Sequence, residues 1–491
     1  MRQLTSGDVT HPRPPSAAQL APATLGEVFT GVLRTPSGVN AARFYLFLVT
    51  PILLALNLVF PAFHGGDDYD HFKRAYTLAH GAFWPETVPG RSSGGMVDVA
   101  LAALVEAQRP TIFEWPRNGP RLPPAEPAPS GQGEARWSGE QIYSEFPGAI
   151  SYLPLVYVPQ AAAIWVGERT GLTVVQTVLL ARLLNGFTAV AVITAALAGL
   201  PAGTASVLLL LLLPKSLQQF ASNSHVPLLH AVTISVLAFC LRSVAPGGAP
   251  RTRHFVLVAV GLLAAASARP PLAAMALVPL WVAWRSRNKV GAAAIALGVA
   301  MAVAWFAEVI PQVTDLRCGP VGDMPGKLLL FAEQGPLLIA RSVWWRGAYY
   351  YQTFVGELGW GNGPAGQLDP LPTWIYLAVP PVFGLALLVD AARPATVPGA
   401  LRLLLILCSA AMVVATFAAL YGICTAPESR IINGVQGPYL YGPALIFVPA
   451  VAGCLRPTRW IELCYLPLLF LLLAGWYVTL LSAGLRIYWI Q

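Results

Sequence analysis

Between residues 44 and 484 the chain returns again and again to long apolar runs, such as "FYLFLVTPILLALNLVF" at 44–60 and "VVQTVLLARLLNGFTAVAVITAALAGL" at 174–200. Crossing the hydrocarbon core of a bilayer takes a helix of about 20 such residues. No water reaches that core, so the runs must form helices that satisfy their own backbone. Composition agrees: 56% of the 491 residues are hydrophobic and 11% charged, against about 25% charged in a soluble domain. The expected fold class is an all-α integral membrane protein. Residues 1–41, with "HPRPPSAAQLAPAT", have the composition of a disordered cytoplasmic tail. They do not read as a secretory signal, because the first apolar core starts late and runs long. Residues 42–491 form the membrane domain.

The net charge is +8, yet the cations sit in short clusters between apolar runs, as the positive-inside rule places them. No basic arm interleaved with aromatics offers a nucleic-acid surface. Arg2, Arg13, Arg34 and Arg43 put the N-terminus inside. Later cytoplasmic loops are marked by Arg251 with Arg253, by Arg285, Arg287 and Lys289, by Arg393 with Arg402, and by Arg456 with Arg459. These four clusters fall inside if residues 149–166 lie in the interface, and outside if that run crosses. Pro147, Pro154 and Pro159 interrupt it, and Tyr143, Tyr152 and Tyr157 suit the headgroup layer, which favours the interface. About eleven transmembrane helices follow, near 44–62, 173–198, 202–216, 226–244, 254–268, 271–284, 290–309, 372–390, 401–422, 438–454 and 461–484. Two large extracytoplasmic segments result. Residues 63–172 hold interfacial helices and a mobile loop at 116–136, and residues 310–371 are rich in Trp, Tyr and Gly.

The six cysteines include no CxxC, which removes zinc-ribbon and thioredoxin readings. Cys240, Cys408, Cys454 and Cys464 lie in apolar runs and are expected to be buried. Cys318 and Cys424 fall near extracytoplasmic segments, where a disulfide between them is one reading.

Just past the first run stands "GGDDYDHFKRAY", residues 65–76. A solvated membrane boundary accounts for Lys73 and Arg74. It accounts less well for Asp67, Asp68 and Asp70, which repel one another beside His71. Clustered carboxylates raise one another's pKa or hold a cation, and both are habits of functional sites. An Asp-x-Asp metal–nucleotide reading of Asp68 and Asp70 lacks any glycine-rich strand–turn–helix to go with it. Phe72, Tyr76 and Ala79 recur at helical spacing. A short amphipathic helix lying on the membrane is expected to hold the acids at the bilayer surface.

Polar residues also gather at run ends on the same expected face. "LLPKSLQQFASNSHVPLLH" brings Lys215, Gln218, Gln219, Asn223, Ser224 and His225, and "SARPPL" brings Arg269. Snorkelling to headgroups explains Lys215 and Arg269, and a lipid-phosphate site explains them equally. Arg182 stands inside an apolar run, where a charge needs an internal partner or a lumen. Gln436 and Tyr439, in "RIINGVQGPYLYGP" at 430–443, read as cavity lining or as part of a Gly/Pro-shaped helix start.

Five stretches in this order carry a resemblance: "GGDDYDHFKRAYTLAHG", "YLPLVYVPQAAAIWVGERTGLTVVQTVLLARLLNG", "LLPKSLQQFASNS", "FVGELGWGNGPAGQLDPLP" and "NGVQGPYLYGPAL". Together they resemble a bacterial family of polytopic membrane proteins, the domain of unknown function 2142 family, over most of residues 40–485. That family in turn resembles the GT-C glycosyltransferases, membrane enzymes with a catalytic acid in the first outer loop and a polyprenyl-phosphate sugar donor. By position, the family's acidic pair falls on Asp67 and Asp68 and its histidine on His71. Its Arg-Leu-x-Asn falls on Arg182 and Asn185, and its Gly-Trp on Gly359 and Trp360. The chain departs from the pattern at His225 and Val226, where the family tends to carry an acid, and at Pro438, where it carries a cation.

The resemblance implies an inverting glycosyltransferase of the bacterial inner membrane with an extracytoplasmic site. It would move sugar from polyprenyl phosphate to a glycan, lipid or protein acceptor during cell-envelope polysaccharide or glycolipid assembly. Asp67 or Asp68, with His71, would take the acceptor proton. Arg269, Lys215, Arg182, Gln218, His225, Gln436 and Tyr439 would hold the donor and its phosphate. Tyr76, Trp345, Tyr350 and Trp360, with Trp344 and Tyr349, would face the acceptor sugar. No cofactor is required and no metal ligands are assigned, although the acids leave room for a divalent metal. Other readings are a transporter or flippase of a lipid-linked substrate, a glycan polymerase or ligase, and a family member impaired by the departures at Val226 and Pro438.

Overall fold

A computed structural model describes residues 38–63, 67–113, 135–316, 324–357, 371–393, 397–455 and 459–488. The N-terminal tail, most of the 116–136 loop, Cys318, Gly359 and Trp360 lie outside them. The chain is helical nearly throughout. Among the described residues six helices are long and apolar enough to cross a membrane: Gly38–Val59 (α1), Val174–Ala198 (α5), Val226–Val244 (α8), Lys289–Gln312 (α11 and a closing 3₁₀ turn), Thr373–Ala392 (α13) and Gly399–Cys424 (α14). Between α1 and α5 lie α2 (Asp68–Ala79), β1 (Gly94–Asp98), α3 (Val99–Phe113), β2 (Gln141–Glu145) and α4 (Val158–Thr170). The two strands pair antiparallel, Gly94 opposite Glu145 and Asp98 opposite Gln141.

α5 organises the bundle, with α1, α4 and α8 all packed on it. Its start is written in the sequence as a capping box: Thr173 Oγ1 accepts from Gln176 N and Gln176 Oε1 accepts from Thr173 N. Gly186 lies where α1 and the α7 helix (Pro214–Phe220) close on α5. A Cβ there would stand 2.5 Å from the Phe220 carbonyl oxygen and 2.9 Å from Leu53. Small residues of this kind let membrane helices approach closely.

Several apolar runs are shaped differently from unbroken spans. The 202–216 run is broken before Pro214 into α6 (Thr204–Leu211) and α7, with every residue of α6 buried. An eight-residue helix covers only about 12 Å, so neither piece reaches across the hydrocarbon core alone, and both are buried in protein. The 271–284 run is a 3₁₀ stretch, Pro270–Ala276, followed by α10 (Leu277–Arg285). The 438–454 run is α15 (Tyr441–Phe447) between two 3₁₀ turns. Prolines supply the breaks, since each lacks an N–H and clashes with the preceding turn. The 254–268 and 461–484 runs match α9 (Thr252–Ala268) and α16 (Arg459–Tyr488).

The segment expected as a second outer loop contains α12 (Met324–Val355), a single 32-residue helix that packs on α14. The helix at 68–79 is not laid on an open surface. Phe72, Ala75 and Tyr76 are buried, and so are Asp68, His71 and Arg74 on its other faces. The turns at Pro147–Ile150 and Pro154–Tyr157, together with α4, cover the side that was expected to meet lipid or water. α4 itself has 13 residues, about 20 Å, short of the roughly 30 Å hydrocarbon core. Cys240 and Cys408 are buried, but Cys454 is exposed beside the Arg402 guanidinium at 2.9 Å. It sits past the end of α15, where the chain has left the packed interior. Cys464's side chain lies outside the described residues. Cys424 is disulfide-bonded.

Candidate functional site

The α1–α2 junction is built around one buried carboxylate. Asp68 is fully buried, and its Oδ2 accepts from Arg182 Nε at 3.0 Å and Nη2 at 2.5 Å. Its Oδ1 accepts from the Asn223 backbone N–H at 2.5 Å. Arg182 spends its other donors on the carbonyls that end α1, Phe60 at 3.1 Å and Pro61 at 2.9 Å. Three residues further along α5, Asn185 Nδ2 donates to the Ser222 carbonyl at 3.0 Å and the Ser224 carbonyl at 2.8 Å. The Arg-Leu-x-Asn pattern is thus a double clasp on one face of α5. Arg182 fastens the α1–α2 junction through Asp68, and Asn185 fastens the α7–α8 linker. A buried charge this well bonded is held as a structural tie, and its lone pairs are occupied.

Asp67, one residue earlier, is placed differently. Its backbone is left-handed, with φ 55°, a conformation that Asp tolerates better than most residues. It lines an open cavity of about 90 Å³, together with His71, Tyr152, Lys215, His225 and Arg269. Gln219, Ser222, Ser224, Glu357, Gln436 and Tyr439 complete most of the wall. Adjacent residues of the acidic pair therefore face opposite environments.

One wall is made of rings. His71 and His225 have centroids 5.0 Å apart, and Tyr152 lies 4.5 Å from His225. His71 Nδ1 hydrogen-bonds the Tyr157 hydroxyl at 2.6 Å. Burial drives His71 down to about 4, against the upward pull of Asp67 and Asp68. Burial likewise holds His225 well below 6.5, helped by His71 and Arg269. Both imidazoles are therefore neutral near pH 7. Neither His225 nitrogen has a protein partner.

The opposing wall is cationic. Arg269 breaks the chain between α9 and the following 3₁₀ stretch in an extended conformation. Its guanidinium stands over the Tyr439 ring at 4.8 Å and donates from Nη1 to the Pro438 carbonyl at 3.2 Å. Its Nε is buried without a protein partner, and it joins no salt bridge among the described residues. Lys215 does have one: its Nζ meets Glu357 Oε1 at 2.7 Å, while Glu357 Oε2 is buried without a partner. Gln218 stands behind this pair and donates to the Glu357 carbonyl at 2.6 Å. Gly356, at φ +140°, lets the chain reach this position. A Cβ there would fall 2.8 Å from Pro214 Cβ and 2.9 Å from Lys215 N.

The cavity gathers Asp67, His71, Lys215, His225, Arg269, Gln436 and Tyr439 of the sequence candidates. Asp68, Arg182 and Gln218 support it from behind. The aromatic candidates do not converge on it. Tyr76 stacks on His80 and Trp137. Trp345 and Trp344 are 74% and 83% exposed, while Tyr350 packs with Phe331, Phe417 and Tyr421. Trp345 and Tyr350 lie on the same helix five positions apart, which at about 100° per residue turns one to the outside and the other into the packing. Trp360 lies outside the described residues. Glu357, Tyr152 and Ser222 were not singled out as site residues from the sequence, while Gln219 and Ser224 were named only among the polar residues gathered at 215–225. The available signal was Glu357 as a lone acid in the aromatic "FVGELGWGNG". Among the described residues no group of three or more His, Cys, Asp or Glu is arranged to hold a metal ion.

The ring wall carries a pH prediction. The unfolded chain takes up a proton at His71 near 6.5 and the folded chain resists until about 4, so acid favours unfolding between those values. Above 6.5 the residue makes no difference. Lowering the pH from about 7 to about 4.5 is expected to lower the melting temperature in detergent, and His71→Gln to flatten that dependence. An identical slope in parent and variant would contradict it.

Comparison with curated proteins and with solved structures returned no match. The family model described as "Predicted membrane protein (DUF2142)" matches residues 51–447, and the chain belongs to that family.

Proposed function

We propose that this protein is a membrane glycosyltransferase that moves a sugar from a polyprenyl-phosphate donor to an acceptor at the extracytoplasmic face of the bacterial inner membrane. The observation that carries the reading is a carboxylate and a cation, Asp67 and Arg269, that face one cavity and join no ion pair among the described residues. In the eleven-span reading with a cytoplasmic N-terminus, that cavity opens on the outer side, where no nucleotide sugar is available and a lipid-linked donor is. Residues 149–166 then lie in the interface, consistent with the length of α4.

In the proposed reaction Asp67 accepts the acceptor hydroxyl's proton as its oxygen attacks the anomeric carbon. The bond from that carbon to the phosphate oxygen breaks, and the singly charged phosphodiester leaves as a phosphomonoester with one more negative charge. Arg269 receives that charge, held in place by Tyr439 and the Pro438 carbonyl. His71, His225 and Tyr152 offer neutral donors and acceptors to sugar hydroxyls. Asp68 and Arg182 keep the junction in register and take no part in proton transfer.

The test is binding of the methyl ester of farnesyl phosphate, which like the donor carries one charge, to the purified full-length chain in uncharged nanodiscs. Arg269→Gln is expected to weaken it about 10-fold to 100-fold, the range of a charge-assisted contact of roughly 1.5–3 kcal/mol. Arg402→Gln, outside the cavity, is expected to leave it unchanged. Equal binding by Arg269→Gln and the parent would remove the phosphate site, and with it the donor.

A further inference from the structure

The cavity holds two cations, and they are not equivalent. Lys215 is paired with Glu357 at 2.7 Å, both residues being buried. Arg269 has no carboxylate partner among the described residues. Glu357 is fixed where it stands by three features: the tight passage of Gly356 over Pro214, the Gln218 bond to its carbonyl, and the end of α12 just before it. Its second carboxylate oxygen faces no donor among the described residues. A carboxylate in this place stands where a second anionic charge of a ligand would otherwise meet Lys215.

We propose that Glu357 sets the charge of the anion this cavity accepts: by occupying Lys215 it leaves Arg269 as the lining cation without a carboxylate partner among the described residues, and with the Asp67 carboxylate also facing the cavity this fits a singly charged phosphodiester and disfavours a diphosphate. The inference rests on the proposed lipid-phosphate reading and adds its selectivity. The physical basis is a difference of affinities. A diphosphate brings a second charge into a partly desolvated cavity. To be matched it must either displace Glu357 from Lys215, leaving that carboxylate buried and unpaired, or remain unpaired itself. A phosphodiester needs neither. The neutral state of His71 and His225 keeps those rings from supplying the missing cation.

The experiment uses two probes on the full-length chain in uncharged nanodiscs: the methyl ester of farnesyl phosphate, with one charge, and farnesyl diphosphate. The parent is expected to bind the first about tenfold more tightly, one full charge-assisted contact. Glu357→Gln frees Lys215 and is expected to abolish or reverse that preference, chiefly by tightening the diphosphate. Lys215→Met leaves Glu357 as an uncompensated anion and is expected to weaken both probes, the diphosphate more. This second variant keeps the test open if Glu357→Gln folds poorly. A parent that prefers the diphosphate, or a preference unchanged in both variants, would overturn the proposal. Arg269→Gln separates the two levels. If it leaves phosphodiester binding intact, the phosphate site itself is wrong. If it removes binding while Glu357→Gln and Lys215→Met leave the ratio untouched, only the assignment of selectivity to Glu357 fails.

Discussion

Arg182→Met is expected to unfold about 3–5 kcal/mol more easily than the parent chain, because it leaves the Asp68 carboxylate buried without its cation. The loss extends beyond one ion pair. The same guanidinium holds the Phe60 and Pro61 carbonyls, so the end of α1 and the start of α2 lose their common anchor. SDS titration of the purified variant in mixed micelles measures the effect. Asp68→Asn with Arg182→Met, which removes both charges, is expected to recover part of it, since a neutral pair carries no unpaired charge. A single-variant loss below about 1 kcal/mol, the worth of an exposed pair, would show that the clasp is not the structural element described.

If the proposed glycosyltransferase reading is right, Asp67→Asn is expected to cut sugar transfer by about 10²–10⁴-fold, the usual contribution of a positioned general base. Phosphate binding should be kept or tightened, because Arg269 stays in place and the substitution removes a negative charge from the same cavity. The measurement is surface glycan in cells whose own gene is replaced by the variant, with membrane insertion confirmed and binding of the methyl ester of farnesyl phosphate checked on the purified chain. The contrast with Asp68→Asn is the informative part. Both substitutions remove one carboxylate from adjacent positions. The first should yield a stable, ligand-binding, inactive protein, and the second an unstable one. Full glycan from Asp67→Asn would end the general-base role of this residue.

Legibility in the sequence divided along physical lines. Apolar run length located the long helices α1, α5, α8, α11, α13 and α14, since a helix of about 20 apolar residues has few alternatives. It did not show that residues 202–216 are two short buried helices. Burial against protein and burial against lipid select the same residues. Nor did it show α12, whose charged residues and Trp-rich pattern read as a loop between spans. Lys215, His225, Arg269 and Tyr439 stood out as polar residues in an apolar chain, and they do line one cavity. The aromatic surface built from Trp345 and Tyr350 failed because proximity in sequence was taken for a shared direction, which a helix does not grant.

The sequence by itself determined that this chain is a helical membrane protein of the DUF2142 family, and that polar residues unusual for so apolar a chain stand at 67–71, 215–225, 269 and 436–439. Hydrophobicity and scarce charge are local properties, readable one run at a time. Only the tertiary structure decided what each charge does. Asp67 and Asp68 are neighbours with the same side chain, yet α5 brings Arg182 to one and leaves the other facing the cavity. Lys215 and Arg269 carry the same charge, yet the end of α12 brings Glu357 to one alone. A buried charge is defined by its partner, and here the partners come from 114 and 142 residues away, a distance over which no pattern in the sequence announces them.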